Sequence, residues 1–98
     1  MITASTTKYA KLPSNIQEMY NLAQEKYISG ESERAISILT HVITEARNLP
    51  DGYELLGAIH EQKGEIKSAY NFYMIAIQKR RGSVELFQKI AEIAYSSP

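Results

Sequence analysis

Residues 50–82 read PDGYELLGAIHEQKGEIKSAYNFYMIAIQKRRG. Large or apolar side chains stand at Tyr53, Leu56, Ile59 and His60, then at Ala69, Tyr73, Ala76 and Ile77, and spacings of three and four put each set on one side of a helix. Between the sets, Lys63-Gly64-Glu65 is a break whose glycine can take the left-handed conformation that closes a helix. Asp51-Gly52 reads as a turn or cap ahead of the first helix, and Arg80-Arg81-Gly82 ends the second. The stretch is a helix, a tight turn and a second helix.

The same pattern continues on both sides. Upstream, Ser14 is placed to cap a helix starting near Asn15 and carrying Ile16, Met19, Tyr20, Ala23 and Tyr27. Ser29-Gly30-Glu31-Ser32 interrupts it, with Ser32 as the next cap. Ala35, Ile36, Leu39, Val42, Ile43 and Ala46 then build a helix that stops before Leu49-Pro50, because the residue before proline avoids helical backbone angles. Downstream, Ser83 caps a last helix with Leu86, Phe87, Ile90, Ala91, Ile93 and Ala94. The expected class is all-α, with five helices.

These helices are in register with one another. Gly30 and Gly64 are 34 residues apart, and the same offset relates Leu22, Leu56 and Ile90, then Ala23, Gly57 and Ala91, then Met19, Tyr53 and Phe87, and Ala35 with Ala69. A helix–turn–helix period of this length, with a large residue, Leu three later, a small residue beside it and an Ala in the second helix, resembles the tetratricopeptide repeat (TPR) family. The resemblance implies a right-handed α-α superhelix of antiparallel helix pairs, about two and a half units long. Residues 15–48 would form the first unit, 49–82 the second, and 83–98 a half unit or capping helix. Residues 1–14, rich in Thr and Ser, read as a flexible arm. Leu22, Ala23, Ala35, Leu56, Gly57, Ala69, Ile90 and Ala91 are the expected packing positions, the small ones lying where paired helices approach.

A narrower likeness runs through Pro50, Tyr53, Glu54, Leu56, Gly57, Glu61, Gln62, Gly64, Ala76 and the segment from Glu85 to Glu92. It is similar to the early repeats of the repeat-bearing assembly subunits of transcription factor IIIC, which implies a place in RNA polymerase III initiation. Phe87 departs from that pattern, where a tryptophan is expected.

Composition narrows the chemistry. Eleven basic and eleven acidic side chains cancel, giving no electrostatic reason to wrap a nucleic acid or lie on an anionic membrane. With no cysteine there is no disulfide framework, thiolate metal site or thiol nucleophile. No run approaches the roughly 18 apolar residues of a spanning helix, and the N-terminus lacks the apolar core of a secretory signal. An intracellular location, nucleus or cytoplasm, is expected. The glycines are never clustered into a phosphate loop, and His41 and His60 fit no metal-ligand spacing. His60 replaces a core aromatic of the repeat and is expected to be half-buried and hydrogen-bonded. No nucleophile, base and orienting group can be paired, so neither catalysis nor a cofactor is expected.

The TPR resemblance also implies a concave groove lined by the first helix of each unit. On this sequence the lining falls on Gln17, Tyr20, Asn21, Gln24, Tyr27 and Ile28, on Asp51, Glu54, Leu55, Ala58, Glu61 and Gln62, and on Glu85, Gln88, Lys89, Glu92, Tyr95 and Ser96. Asp51, Glu54, Glu61, Glu85 and Glu92 face only Lys89 among bases, so the groove is expected to be acidic. Tyr20, Gln24, Leu55 and Glu85 stand where one subgroup of the family uses cations and amides to hold a carboxylate terminus, and only Lys89 suits that task. The partner implied is a protein segment that is basic and partly apolar, bound through Tyr20, Tyr27, Leu55, Ala58 and the acids. Lys79-Arg80-Arg81 is read as complementing the C-terminal dipole of its helix. The alternative is a structural segment of a longer solenoid, or a self-associating scaffold, using the apolar edge of the last helix.

Overall fold

The computed structural model describes residues 14–96, which form α1 (Ser14–Ile28), α2 (Ser32–Glu45), α3 (Pro50–Gln62), α4 (Ile66–Lys79) and α5 (Val84–Ser96). The described residues contain no strand, so the all-α class holds. The expected arm lies, apart from Ser14, outside the described residues, and Ser14 is itself the first residue of α1.

The 34-residue offset is written into the backbone. Gly30 has φ 87° and Gly64 φ 82°. In the first turn Gly30 N–H donates to the Tyr27 carbonyl at 3.1 Å and Glu31 N–H to that of Lys26 at 2.8 Å. In the second, Gly64 N–H donates to Glu61 at 3.0 Å and Glu65 N–H to His60 at 2.8 Å. This nested pair of bonds around a left-handed residue satisfies the carbonyls left open at a helix end. Beyond the turns, Ala35 N–H bonds Glu31 and Ala69 N–H bonds Glu65, both at 3.0 Å.

Two expected caps fall elsewhere. Ser32 is the first residue of α2, and the cap position belongs to Glu31, which makes no side-chain capping bond. The glycine turn needs only three linking residues, so the helix restarts sooner. Ser29 Oγ donates to the Lys26 carbonyl and to Glu31 Oε2, both at 3.1 Å. Asp51-Gly52 is not a turn: Leu49 is the extended cap residue and Pro50 opens α3, where its missing N–H is not needed. Gly52 is buried inside α3, and a Cβ there would come within 2.8 Å of Ile43 Cγ2. Ser83 does act as a cap, its Oγ accepting from Leu86 N–H at 3.2 Å.

Three-residue links leave each helix no choice but to double back, so α1 pairs antiparallel with α2 and α3 with α4. The pairs are the closest contacts; α2 against α3 and α4 against α5 are looser, and the backbone of α5 comes close to that of α4 alone, while its Lys89 side chain also reaches Glu61 of α3. The radius of gyration, 14.0 Å, is a little above the value of about 13 Å for a compact chain of this length, and each helix pair contacts only the unit next to it in the chain order. The molecule is a linear stack.

The core follows that stack. Ala23, Ala35, Leu39, Leu56 and Ile59 fill the layer between the pairs. Tyr53, Ala69, Tyr73, Ala76, Leu86 and Ile93 form a second cluster with Ile90 packed against it, and Ile16, Val42, Ala46 and Leu49 close a third. Gly57 is buried against the Tyr73 ring. Two expected packing residues are corrected. Leu22 is 42% exposed, whereas its counterpart Leu56 is 1% exposed, because Leu56 reaches the preceding helix pair and no described element precedes α1. Ala91 is exposed because no described helix stands where α4 stands against Gly57.

Candidate functional site

Side chains from α1, α3, the end of α4 and α5 come near one another: Tyr20 is close enough to feel the charges of Asp51, Glu54 and Arg80, and Lys89 reaches Glu61. No Cα of α3 comes within 8 Å of one in α5, so a cleft opens between them. Its volume is about 450 Å³ and it is lined by Glu54, Tyr73, Arg80, Ser83, Glu85, Leu86 and Lys89. Leu86 gives it an apolar element, and ionisable groups supply much of the rest.

Arg80 is the residue whose role the sequence conceals. It donates through Nε to Glu54 Oε2 and through NH2 to Asp51 Oδ1, both at 2.6 Å. Its sequence reading as a group serving the dipole of its own helix is therefore corrected. An antiparallel pair brings the end of α4 back beside the start of α3, so residues 26 and 29 positions apart become neighbours. Lys79 uses the same return to donate to Asn48 Oδ1 at 3.4 Å, and Arg81 is exposed.

Tyr73, read as a packing residue, has two functions. Its ring lies on Gly57, while its hydroxyl donates to Glu61 Oε1 at 3.0 Å. Burial pushes its phenol above the ordinary tyrosine range, and Glu61 adds to the shift both as acceptor and as charge. Across the face, Tyr20 is raised to about 12, first by burial and then by the charges of Asp51 and Glu54, with Arg80 opposing. Both hydroxyls stay protonated at neutral pH and serve as donors.

Of the other expected groove residues, Gln17 is half-buried, Asn21, Ile28, Gln62, Gln88 and Tyr95 are exposed, the side chain of Ser96 lies outside the described residues, and those expected to bind the partner fall in three groups. Tyr20, Tyr27 and Leu55 are half-buried and pack on the layer of Ala23, Leu39 and Leu56, so much of their apolar surface serves the core. Asp51, Glu54, Ala58 and Glu61 are half-buried on α3, and Lys89 of α5 reaches Glu61 at 3.5 Å and Glu92 at 3.8 Å. Gln24, Glu85 and Glu92 are exposed, with Ser83 Oγ 3.4 Å from Glu85 Oε1. All five expected acids have contacts within the protein: Asp51 and Glu54 with Arg80, Glu61 with Tyr73 and Lys89, Glu92 with Lys89, and Glu85 with Ser83. The five carboxylates of this face meet two cations, Arg80 and Lys89, and its charge stays negative.

His60 is half-buried as expected, with Nδ1 2.6 Å from Glu65 Oε1 and its ring stacked on Phe72 at 5.3 Å. That contact holds the Glu65 carboxyl below its usual range. Among the described residues no three His, Asp or Glu side chains gather so as to hold a metal ion, and no helix is long and apolar enough to cross a membrane. What the face can offer is carboxylates and phenol hydroxyls above a cleft whose exposed lining is mostly apolar, chemistry suited to the ends and stems of Lys and Arg side chains. No protein-family model and no curated protein matches the chain.

Proposed function

We propose that the chain is a non-catalytic protein-interaction module of the TPR type, its helix pairs winding into a right-handed superhelix whose inner face takes a basic, partly apolar segment of a partner. The observation that carries this reading is the cleft between α3 and α5, which keeps a negative charge after Arg80 and Lys89 are counted and has Leu86 in its wall. Because Asp51 and Glu54 are half-buried and held by Arg80, the first contacts of an incoming cation fall to the exposed Glu85 in the cleft wall and, in competition with Lys89, to the exposed Glu92 on α5. The narrower likeness of residues 50–92 supports reading this module as part of an assembly serving RNA polymerase III initiation.

A labelled peptide of alternating Lys and Leu is a suitable probe, with its Glu-for-Lys counterpart as control. Anisotropy should show binding of the first only, weakening as salt is raised. Glu85→Lys with Glu92→Lys should weaken it about tenfold or more and leave the thermal melt unchanged, since both side chains are exposed. Equal binding of the two peptides would remove the reading. Affinity purification from a nuclear extract tests the assembly: copurifying polymerase III initiation factors support it, and their absence alongside other stable partners redirects it.

A further inference from the structure

The link from α4 to α5 reads Arg80-Arg81-Gly82-Ser83, and Val84 opens the next helix. Ser83 is the only serine or threonine of the chain with two arginines among the three residues before it. Ser37, three residues after Arg34, comes nearest to that pattern, but it stands inside α2 on helical backbone. The link is open by contrast. Arg80 has φ −120° and ψ 81°, and Gly82 has φ 81°, so neither continues a helix. Arg81 and Gly82 are exposed, Val84 is 63% exposed, and Ser83 is half-buried in the wall of the cleft.

A hydroxyl preceded by two guanidiniums and followed by an exposed apolar side chain suits an enzyme that offers carboxylates to the arginines and an apolar surface to the residue after the hydroxyl. We propose that Ser83 is a phosphorylation site for a protein kinase that selects arginines upstream of its target hydroxyl. In the transfer, Ser83 Oγ bonds to the γ-phosphorus of magnesium-bound ATP as the bond to the β–γ bridging oxygen breaks. ADP leaves, and the hydroxyl proton passes to the catalytic carboxylate of the kinase. Docking needs an extended link, and two features let the chain yield one. Gly82 takes either sign of φ at little cost, and α5, whose backbone packs on that of α4 alone, can release its first turn. One feature resists it. Asp51 and Glu54 hold Arg80 at 2.6 Å, so the carboxylates of the kinase compete with those of α3.

The new group would act where it is made. Ser83 Oγ accepts from Leu86 N–H at 3.2 Å and stands 3.4 Å from Glu85 Oε1. A phosphate there carries about two negative charges; its own oxygens take over the bond to Leu86, and the N-terminal end of α5 favours the charge. It repels Glu85 and draws Arg80 and Lys89, the two cations of the same cleft, away from Asp51, Glu54 and Glu61. The helices are kept and the cleft becomes more acidic. Modification therefore tightens the grip on a basic segment, a consequence that rests on the peptide-binding reading, whereas the modification itself does not.

The folded full chain is treated with magnesium ATP and the catalytic subunit of the cyclic-AMP-dependent protein kinase, used as an arginine-directed probe. It should gain one phosphate, placed on Ser83 by fragment mass spectrometry, and Ser83→Ala should gain none. Arg81→Gln, at an exposed side chain, should slow the transfer about tenfold or more. Asp51→Asn with Glu54→Gln releases Arg80 and should speed it. A wild type left unmodified, phosphate that persists in Ser83→Ala, or equal rates for the wild type and Arg81→Gln would each overturn the site. After transfer, circular dichroism should show the helices unchanged, and anisotropy should show the Lys-Leu peptide bound about threefold or more tighter, an advantage that fades as salt is raised. Equal or weaker binding by the modified chain overturns the tightening; no binding by either form removes the peptide reading and leaves the site standing.

Discussion

At Gly57 the backbone of α3 and the ring of Tyr73 leave no room for a methyl group: a Cβ would lie 2.8 Å from Cε1 and 2.9 Å from Cδ1. The ring cannot simply swing aside, because its hydroxyl is tied to Glu61 and the side chain is buried. Gly57→Ala gains about 1 kcal/mol of helix propensity and loses more to overpacking, so a net loss of about 1–2 kcal/mol is expected. A thermal melt should fall by several degrees. Gly52→Ala provides the contrast: the obstacle there is one methyl of half-buried Ile43, and the melt should move less. A second expectation concerns alkali. The Tyr20 phenol is raised to about 12 in the folded chain against 10.0 for an ordinary tyrosine, so the folded state holds its proton over a window where the unfolded state has lost it. Stability from this source is complete below pH 10.0 and drains as pH rises toward about 12, and ultraviolet titration should find phenols ionising late, together with unfolding. Tyr20 was legible as a groove residue from its place in the period. The bond from Tyr73 to Glu61 was not, since an aromatic at a core position gives no sign of where its hydroxyl points.

Among the elements, the C-terminus of α4 shows how a helix end becomes part of a site. Arg80→Gln removes both 2.6 Å contacts and leaves Asp51 and Glu54 facing one another across the start of α3. With these side chains mostly shielded from solvent, a loss of about 1–2 kcal/mol is expected, and amide exchange should quicken in the first turn of α3 while α1 and α2 are unaffected. The Tyr20 phenol should rise further, because the cation opposing the two carboxylates has gone. Element type and order were readable from spacing alone: the helices sit where apolar residues recur at three and four, as in Ile16-Met19-Tyr20-Ala23 and Leu86-Ile90-Ile93. The misread joints share a physical cause. Ser32 and Asp51-Gly52 have the composition of caps and turns, yet a left-handed glycine two residues ahead of Ser32 and the proline at position 50 had already fixed where the helices restart. Arg80 was misread for the opposite reason, because a local rule about helix dipoles was applied to a side chain long enough to reach another helix.

On the scale of the whole molecule, stability should be uneven along the stack. Each layer touches only its neighbours, and the backbone of α5 packs on that of α4 alone, so its amides should exchange before those of α3 and α4, with a gradient measurable by native-state hydrogen exchange. The apolar edge of α5 was legible in the sequence, whereas the exposure of Leu22 and Ala91 was not, because a repeat position predicts burial only where a described neighbouring helix covers it. The backbone at the two exits of the even-numbered helices has a further consequence. Ala46 leaves α2 at φ −126°, ψ 71°, and Arg80 leaves α4 at φ −120°, ψ 81°; each N–H bonds the carbonyl four residues back, at 2.7 and 2.8 Å. The two joints are interchangeable parts, and an arginine follows each of them. A cassette of residues 47–80, spliced in again after Arg80, would meet on both sides a chain already travelling in the direction it needs. The lengthened protein should keep the same helicity per residue, which makes this chain a ruler whose graduations can be added one hairpin at a time.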